Sequence, residues 1–137
     1  GSNKKAYSVL KKIKSISPVQ GFLSEGYFYR TTNKNKESLV AYLNAVNEVE
    51  LCSKPQIPND SFYVLGVLSY YLQKDISKSL CFFEQYIKNY NKGNRYPKSF
   101  AKHYIFKLSS INFKDNQMED ILIEHDHLTR WIQNNFK

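Results

Sequence analysis

Hydrophobic residues recur along this chain at spacings of three and four positions, with few stretches of strict alternation. That period is typical of amphipathic α-helices, which turn an apolar stripe toward a core. We therefore expect an all-α fold of about seven helices. Their predicted spans are residues 3–16, 18–31, 36–51, 60–73, 76–91, 97–110 and 117–135.

Residues suited to starting and stopping helices lie at these predicted boundaries. Ser17 precedes Pro18, and a serine accepts the free N–H groups of a first turn while proline fits the first helical position. Asp75 is expected to cap the fifth helix and Pro97 to open the sixth. Gly93 is expected to take the left-handed conformation that often follows a helix end.

The length of 137 residues fits one globular domain. Gly1 and Ser2 are interpreted as a cloning remnant, and residues 3–137 as a single helical-repeat domain cut from a larger protein. Its predicted parts are an N-terminal helix at 3–16, a first repeat at 18–51, a second repeat at 60–91, and a degenerate third repeat with a cap at 97–135.

Self-comparison reveals an internal match between two predicted helix pairs. Each pair carries an aromatic residue, a glycine and a tyrosine in its first helix, then a serine and further packing residues in its second. The residues are Phe22, Gly26, Tyr29, Ser38, Tyr42 and Ala45 in one pair, and Phe62, Gly66, Tyr70, Ser79, Phe83 and Tyr86 in the other. The two glycines lie 40 residues apart. A repeated helix pair must stack on a neighbour to bury its apolar face.

This pattern resembles tetratricopeptide repeats, in which a large residue, a glycine and an aromatic mark the first helix. The resemblance implies antiparallel helical hairpins stacked as a short right-handed superhelix, with a groove for an extended peptide or a partner helix. The spacing exceeds the usual period of about 34 residues, so the related Sel1-like repeats fit as well. Glu25 stands where the family prefers leucine. The alternative is an irregular bundle in which Gly26 and Gly66 only permit close helix packing.

The resemblance also implies which side chains would line the groove. They are Leu23, Tyr27 and Arg30 from the first repeat, Tyr63, Val67 and Tyr70 from the second, and Lys98 and Lys102 from the third. Tyrosine offers large contact area, and basic side chains pair with carboxylates or phosphates. We therefore expect a non-enzymatic scaffold or adaptor within a larger protein or complex. It would bind a protein or peptide, with acidic peptides favoured.

Charge adds an alternative function. The formal net charge is +8, and seventeen of the twenty basic residues are lysines, a bias that an AT-rich genome also produces. Residues 88–107 interleave basic and aromatic side chains without one carboxylate. Because lysines neutralise phosphates and rings stack on bases, this segment makes nucleic-acid binding the alternative. The near absence of arginine, whose planar fork suits specific recognition, disfavours it.

The sequence carries no pattern that points to catalysis, a metal or a cofactor, and we expect none of them. His125 and His127 are two positions apart, so on one helix they point about 200° apart and cannot share a metal. Cys52 and Cys81 are interpreted as buried inert thiols. The chain has neither a phosphate-binding glycine loop nor a nucleophile elbow.

No apolar run approaches the roughly 18 residues that suggest a membrane span, and the N-terminus lacks a signal-peptide pattern. We therefore expect an intracellular protein, cytoplasmic or nuclear, that is not integral to a membrane.

Overall fold

A computed structural model of the chain describes residues 2–110 and 116–136. All regular elements in these residues are α-helices, which confirms the all-α expectation. They are α1 (Ser2–Ile16), α2 (Pro18–Thr31), α3 (Asn35–Glu48), α4 (Asn59–Gln73), α5 (Ile76–Lys88), α6 (Lys98–Ser109), α7 (Asn116–His125) and α8 (His127–Asn135). The chain divides into two compact units, Gly1–Ile57 with α1 to α3 and Pro58–Lys137 with α4 to α8.

Two of the predicted caps are present. The Ser17 side chain accepts a hydrogen bond from the Gln20 backbone N–H at 3.3 Å, and Pro18 occupies the first turn of α2. The Asp75 carboxylate accepts the Lys78 N–H at 3.0 Å and so starts α5. These side chains satisfy backbone donors that have no partner inside the helix.

The left-handed conformation expected at Gly93 is absent, and that prediction is wrong. Helix α5 ends at Lys88, before the glycine. Among the described residues, positive φ angles occur at Asn33, Cys52 and Lys74, and at no glycine. Lys74 takes the left-handed conformation at the end of α4, where its N–H bonds the Ser69 carbonyl.

The last predicted helix, residues 117–135, is two helices in the structure. Asp126 separates α7 from α8 with an extended backbone, φ −93° and ψ 98°. Its carboxylate accepts the Leu128 N–H at 3.2 Å and the Thr129 hydroxyl at 2.7 Å. An aspartate that caps a new helix in this way competes with continuation of the preceding one.

In the first unit, α2 and α3 form a hairpin whose helices approach closely at a glycine on α2. Gly26 lies so close to the Tyr42 ring that a Cβ atom at this position would overlap it. The buried Ser38 hydroxyl donates to the Gly26 carbonyl at 2.7 Å. The buried apolar side chains of this unit are Leu10, Val19, Leu23, Ala41, Tyr42, Ala45, Val46 and Val49.

In the second unit, α4 and α5 form a hairpin with the same contacts. A Cβ atom at Gly66 would lie 2.9 Å from three carbons of the Phe83 ring. The buried Ser79 hydroxyl donates to the Gly66 carbonyl at 2.7 Å. Both hairpins therefore combine a glycine against an aromatic ring with a serine on that glycine's carbonyl.

Aromatic rings fill much of the second unit and connect its helices. The Phe83 ring on α5 stacks on the Tyr104 ring on α6 with centroids 4.6 Å apart and planes 8° apart. The Tyr63 ring on α4 stacks on Tyr96, with centroids 4.2 Å apart. Trp131, the single tryptophan of the chain, is buried on α8.

None of the described helices combines the length and the hydrophobicity that crossing a lipid bilayer requires.

Candidate functional site

Of the three groove residues predicted in the first repeat, one is open to solvent. Tyr27 is 44% exposed, whereas Leu23 and Arg30 are buried at 5% and 6%. The Arg30 guanidinium lies 5.4 Å from the centre of the Tyr27 ring. Tyr27 is therefore the accessible member of this set, with Arg30 behind it.

Two of the three groove residues predicted in the second repeat are core residues. Tyr63 and Val67 are fully buried. The Tyr63 hydroxyl donates to the Asp126 carboxylate, which joins α4 to the start of α8. Side chains enclosed in this way offer a partner no access, and their burial indicates that they stabilise the unit.

Tyr70, Lys98 and Lys102 are more accessible. Tyr70 is half-buried, with its ring 5.5 Å from the Lys107 ammonium. The Lys98 ammonium lies 5.9 Å from the centre of the Tyr90 ring, and Lys102 is exposed one turn further along α6.

Lys98 and Lys102 belong to a larger basic surface at the corner between α5 and α6. We name this surface the basic platform, and it consists of Lys88, Lys92, Arg95, Lys98 and Lys102. All are exposed except Lys98, which is half-buried. Its four lysines form no ion pair with any described residue. These four lysines therefore carry positive charge that no carboxylate of the described residues pairs with.

The loop that carries part of the basic platform is fixed by Asp60, at the start of α4. The Asp60 Oδ1 atom accepts the Asn94 side-chain amide at 3.0 Å and the Arg95 backbone N–H at 2.9 Å. Asn59 reinforces the contact, because its amide donates to the Asn94 side-chain oxygen at 3.2 Å. The sequence places Asp60 at a helix start but gives no signal of this contact, which spans 35 residues.

Most of the rings in segment 88–107 are used inside the protein. Phe100 and Tyr104 are buried at 6% and 0%, and Tyr96 stacks on Tyr63. Tyr90 is half-buried, with Lys98 beside it. Phe106 is 58% exposed, so Tyr90 and Phe106 are the rings of this segment that are available for stacking on bases.

Buried hydroxyl groups around Asp126 are connected by hydrogen bonds. The Tyr104 and Thr129 hydroxyls lie 2.7 Å apart, and Thr129 in turn donates to Asp126 at 2.7 Å. Burial, reinforced by the neighbouring Asp126 and other tyrosines, raises the pKa of Tyr63 well above its ordinary value. Burial likewise raises the pKa of Tyr104. Both phenols therefore stay protonated at neutral pH and serve as internal donors.

A second polar cluster joins α6 to α7, and sequence reasoning missed it. Glu119 accepts from Lys107 at 2.6 Å and lies 3.1 Å from Nε2 of the buried His103. Burial acts to raise the pKa of Glu119, but hydrogen bonds from Lys107 and His103 outweigh it and hold that pKa below the ordinary value. The spacing of four residues between His103 and Lys107 places both on one face of α6, which is the signal available in the sequence.

The first unit contains a cleft of about 350 Å³ that sequence reasoning also missed. Phe22, Tyr29 and Val40 give it apolar walls. Lys14 and Glu25, which also line it, form an ion pair 2.5 Å apart. Its surface thus mixes apolar groups with both signs of charge.

The remaining candidate ligands do not assemble into a metal site. His125 ends α7 and His127 starts α8. No group of three potential metal-ligating side chains occurs within the described residues.

The cysteines differ from the expectation of buried free thiols, which is wrong. Both Cys52 and Cys81 are disulfide-bonded, and the structure contains no free cysteine in its described part. Cys52 is also exposed rather than buried. The apolar neighbours of Cys81 suggested an inert thiol, but local sequence does not report on covalent pairing.

No protein-family model matches this chain, and no curated protein or solved structure matches it either.

Proposed function

We propose that this protein is a non-enzymatic helical scaffold that binds a partner protein or peptide. The observation that carries the proposal is the equivalence of the α2–α3 and α4–α5 hairpins. Each places a glycine against an aromatic ring, and each has a serine hydroxyl 2.7 Å from that glycine's carbonyl. Hairpins repeated in this way are typical of proteins that present extended binding surfaces rather than catalytic centres.

The tetratricopeptide-like assignment and the stacking of hairpins into a right-handed superhelix stay predictions. So do the absence of enzymatic activity, cofactor and metal, and the membership of a larger complex. The burial of Leu23, Arg30, Tyr63 and Val67 limits the proposed contact residues to the accessible members of the predicted set. These are Tyr27, Tyr70, Lys98 and Lys102.

The experiment is affinity capture from a lysate of the source cells, with and without nuclease, followed by mass spectrometry of the retained proteins. We expect the same protein partner to be retained under both conditions. Tyr27→Ala should reduce its recovery, because Tyr27 offers an exposed ring at low rotamer cost.

The matched control for this experiment is Tyr7→Ala, which removes a tyrosine of similar exposure, 41%, from α1. Equal losses for the two variants would contradict a specific role for Tyr27. Retention of nucleic acid alone would contradict the scaffold function itself.

Nucleic-acid binding by residues 88–107 has weaker support from the structure. Single-strand recognition combines basic side chains with several stacking rings. Here Tyr96, Phe100 and Tyr104 pack internally, which leaves the half-buried Tyr90 and the exposed Phe106 as the accessible rings of this segment. We therefore retain protein binding as the proposed function.

We infer from the cysteines that the protein works in an oxidising compartment, in place of the cytoplasmic or nuclear location expected from sequence. Disulfides persist in oxidising environments and are rare in the reducing cytosol. Thiols trapped by acid quenching and alkylation in the source cells test this inference. We expect no alkylation at Cys52 or Cys81 until a reductant is added, and complete alkylation without reductant would refute the inference.

A further inference from the structure

We propose that the basic platform, defined above, is the docking surface for an acidic segment of the partner polypeptide. This inference rests on the proposed scaffold function, because it names the chemistry of the partner and the place where it binds.

The lysines of the basic platform have no acidic partners among the described residues. Lys88, Lys92, Lys98 and Lys102 are free of ion pairs within the described residues. By contrast, Lys107, which lies on α6 with Lys98 and Lys102, forms an ion pair with Glu119 at 2.6 Å. Carboxylates of a partner would therefore meet unpaired ammonium groups on the platform. Complementary charge of this kind steers association and fixes register.

Hydrogen bonds hold the loop of the basic platform, between α5 and α6, in one conformation. The Asp60 carboxylate holds the loop through Asn94 and through the Arg95 N–H, and the Tyr86 hydroxyl donates to the Tyr96 carbonyl at 2.5 Å. The loop backbone that presents Lys92 and Arg95 is thereby held in place. Because less conformational freedom is lost on binding, a preorganised surface binds more tightly than a loose one of equal charge.

The availability of rings decides between a polypeptide and a nucleic acid. Phe100 and Tyr104 lie in the core and Tyr96 is covered by Tyr63, so Tyr90 and Phe106 are the rings of this segment left for base stacking, fewer than the series of rings on which successive bases stack. An exposed apolar side chain does lie beside the lysines: Phe106, 58% exposed, one turn beyond Lys102 on α6. An acidic segment with an apolar anchor matches both features.

The test is fluorescence anisotropy on the full chain with three labelled probes. The first is a twelve-residue peptide of Glu and Asp with two Phe residues, the second has Gln and Asn at the acidic positions, and the third is a twelve-nucleotide single-stranded RNA. We expect the acidic peptide to bind, with affinity that falls as salt rises, and the other two to bind at least about tenfold more weakly.

Variants locate the interaction. Lys98→Glu with Lys102→Glu should weaken peptide binding about tenfold or more, since two contacts become repulsive. Lys4→Glu with Lys5→Glu makes the same change in net charge on the exposed part of α1 and should leave affinity within about threefold. Lys88→Glu with Lys102→Glu is a second pair, both on exposed positions, in case the half-buried Lys98 perturbs folding.

Three results would overturn the proposal: RNA binding as tight as peptide binding, equal losses for the α1 pair and the platform pairs, or no peptide binding. These outcomes are distinct from failure of the scaffold function. A protein partner that is captured through Tyr27 and is indifferent to the platform variants would refute the platform alone. Peptide binding without any captured protein would refute the scaffold function alone.

Discussion

At the scale of single residues, an aromatic ring packed against each hairpin glycine leaves no room for a side chain at Gly26 or Gly66. A side chain at Gly66 has no space, because the Phe83 ring is fully buried and stacked on Tyr104. The ring cannot withdraw without disturbing α6. The glycine is thus required for helix approach, even though glycine inside a helix has poor intrinsic propensity.

We therefore predict that Gly66→Ala destabilises the protein. The clash should outweigh the gain in helix propensity and lower the free energy of unfolding by about 1–2 kcal/mol. Urea unfolding followed by fluorescence measures the change. Gly93→Ala is the control, since that exposed position would meet only the Asn91 side-chain oxygen, at 3.1 Å. Equal stability of Gly66→Ala and the parent would show that the hairpin tolerates a wider separation.

The serine partners of these glycines make a paired prediction. Ser38→Ala and Ser79→Ala each remove a buried hydroxyl that donates at 2.7 Å. Each should lower the free energy of unfolding by about 1 kcal/mol. The exposed Ser77→Ala is the control and should be neutral within a few tenths of a kcal/mol. Circular dichroism during urea unfolding measures all three, and a neutral Ser38→Ala would contradict equivalence of the hairpins.

At the scale of elements, the break between α7 and α8 depends on one buried carboxylate. Asp126 is 2% exposed and receives hydrogen bonds from a backbone N–H and from two hydroxyls, those of Tyr63 and Thr129. It therefore caps α8 and attaches it to α4 at the same time.

Asp126→Ala should be among the more destabilising single changes in the second unit. It removes a cap and leaves the buried Tyr63 hydroxyl without its acceptor, which we expect to cost roughly 2–4 kcal/mol. Asp120→Ala, at an exposed position on α7, should change stability by less than about 0.5 kcal/mol. Unfolding curves in urea provide the measurement. A loss at Asp126 no larger than at Asp120 would show that water replaces the network.

The attachment of α7 to α6 should depend on pH. The folded-state pKa of Glu119 lies below its ordinary value of 4.5. The contribution of Glu119 to the free energy of unfolding is therefore fully present at pH values above 4.5. It is lost as the pH falls through the lowered folded-state pKa. Glu119→Gln should therefore flatten the acid part of the stability profile.

The measurement for Glu119 is the free energy of unfolding at a series of pH values between about 6 and 2. Glu84→Gln, at an exposed position on α5, should leave the profile unchanged. Parallel profiles for Glu119→Gln and the parent chain would argue that the Lys107 and His103 contacts add nothing in solution.

At the scale of the whole molecule, sequence reasoning succeeded where the determinants are local. Apolar periodicity predicts six of the helices to within three residues at each end, and the residues next to Ser17 and Asp75 are enough to predict both as caps. The match between the Gly26 and Gly66 segments predicted close helix packing, and the structure places an aromatic ring against each glycine.

The features that the sequence does not predict are contacts between residues that are far apart along the chain. Asp126 receives the Tyr63 hydroxyl from 63 residues away, and Asp60 holds Arg95 from 35 residues away. The sequence does not separate buried from exposed tyrosines, because the ring and the hydroxyl suit both a core and an interface. Helical position alone placed the buried Tyr63 and the exposed Tyr27 on equivalent surfaces.

The fluorescence of Trp131 reports on the folding of the second unit alone. Trp131 is the only indole, it lies on α8, and it is 8% exposed, so its emission should shift to longer wavelength when the second unit opens. Far-ultraviolet ellipticity, in contrast, sums over the helices of both units. Melting curves that coincide by the two signals would mean that both halves unfold as one cooperative body. Curves that separate would assign the order in which they melt.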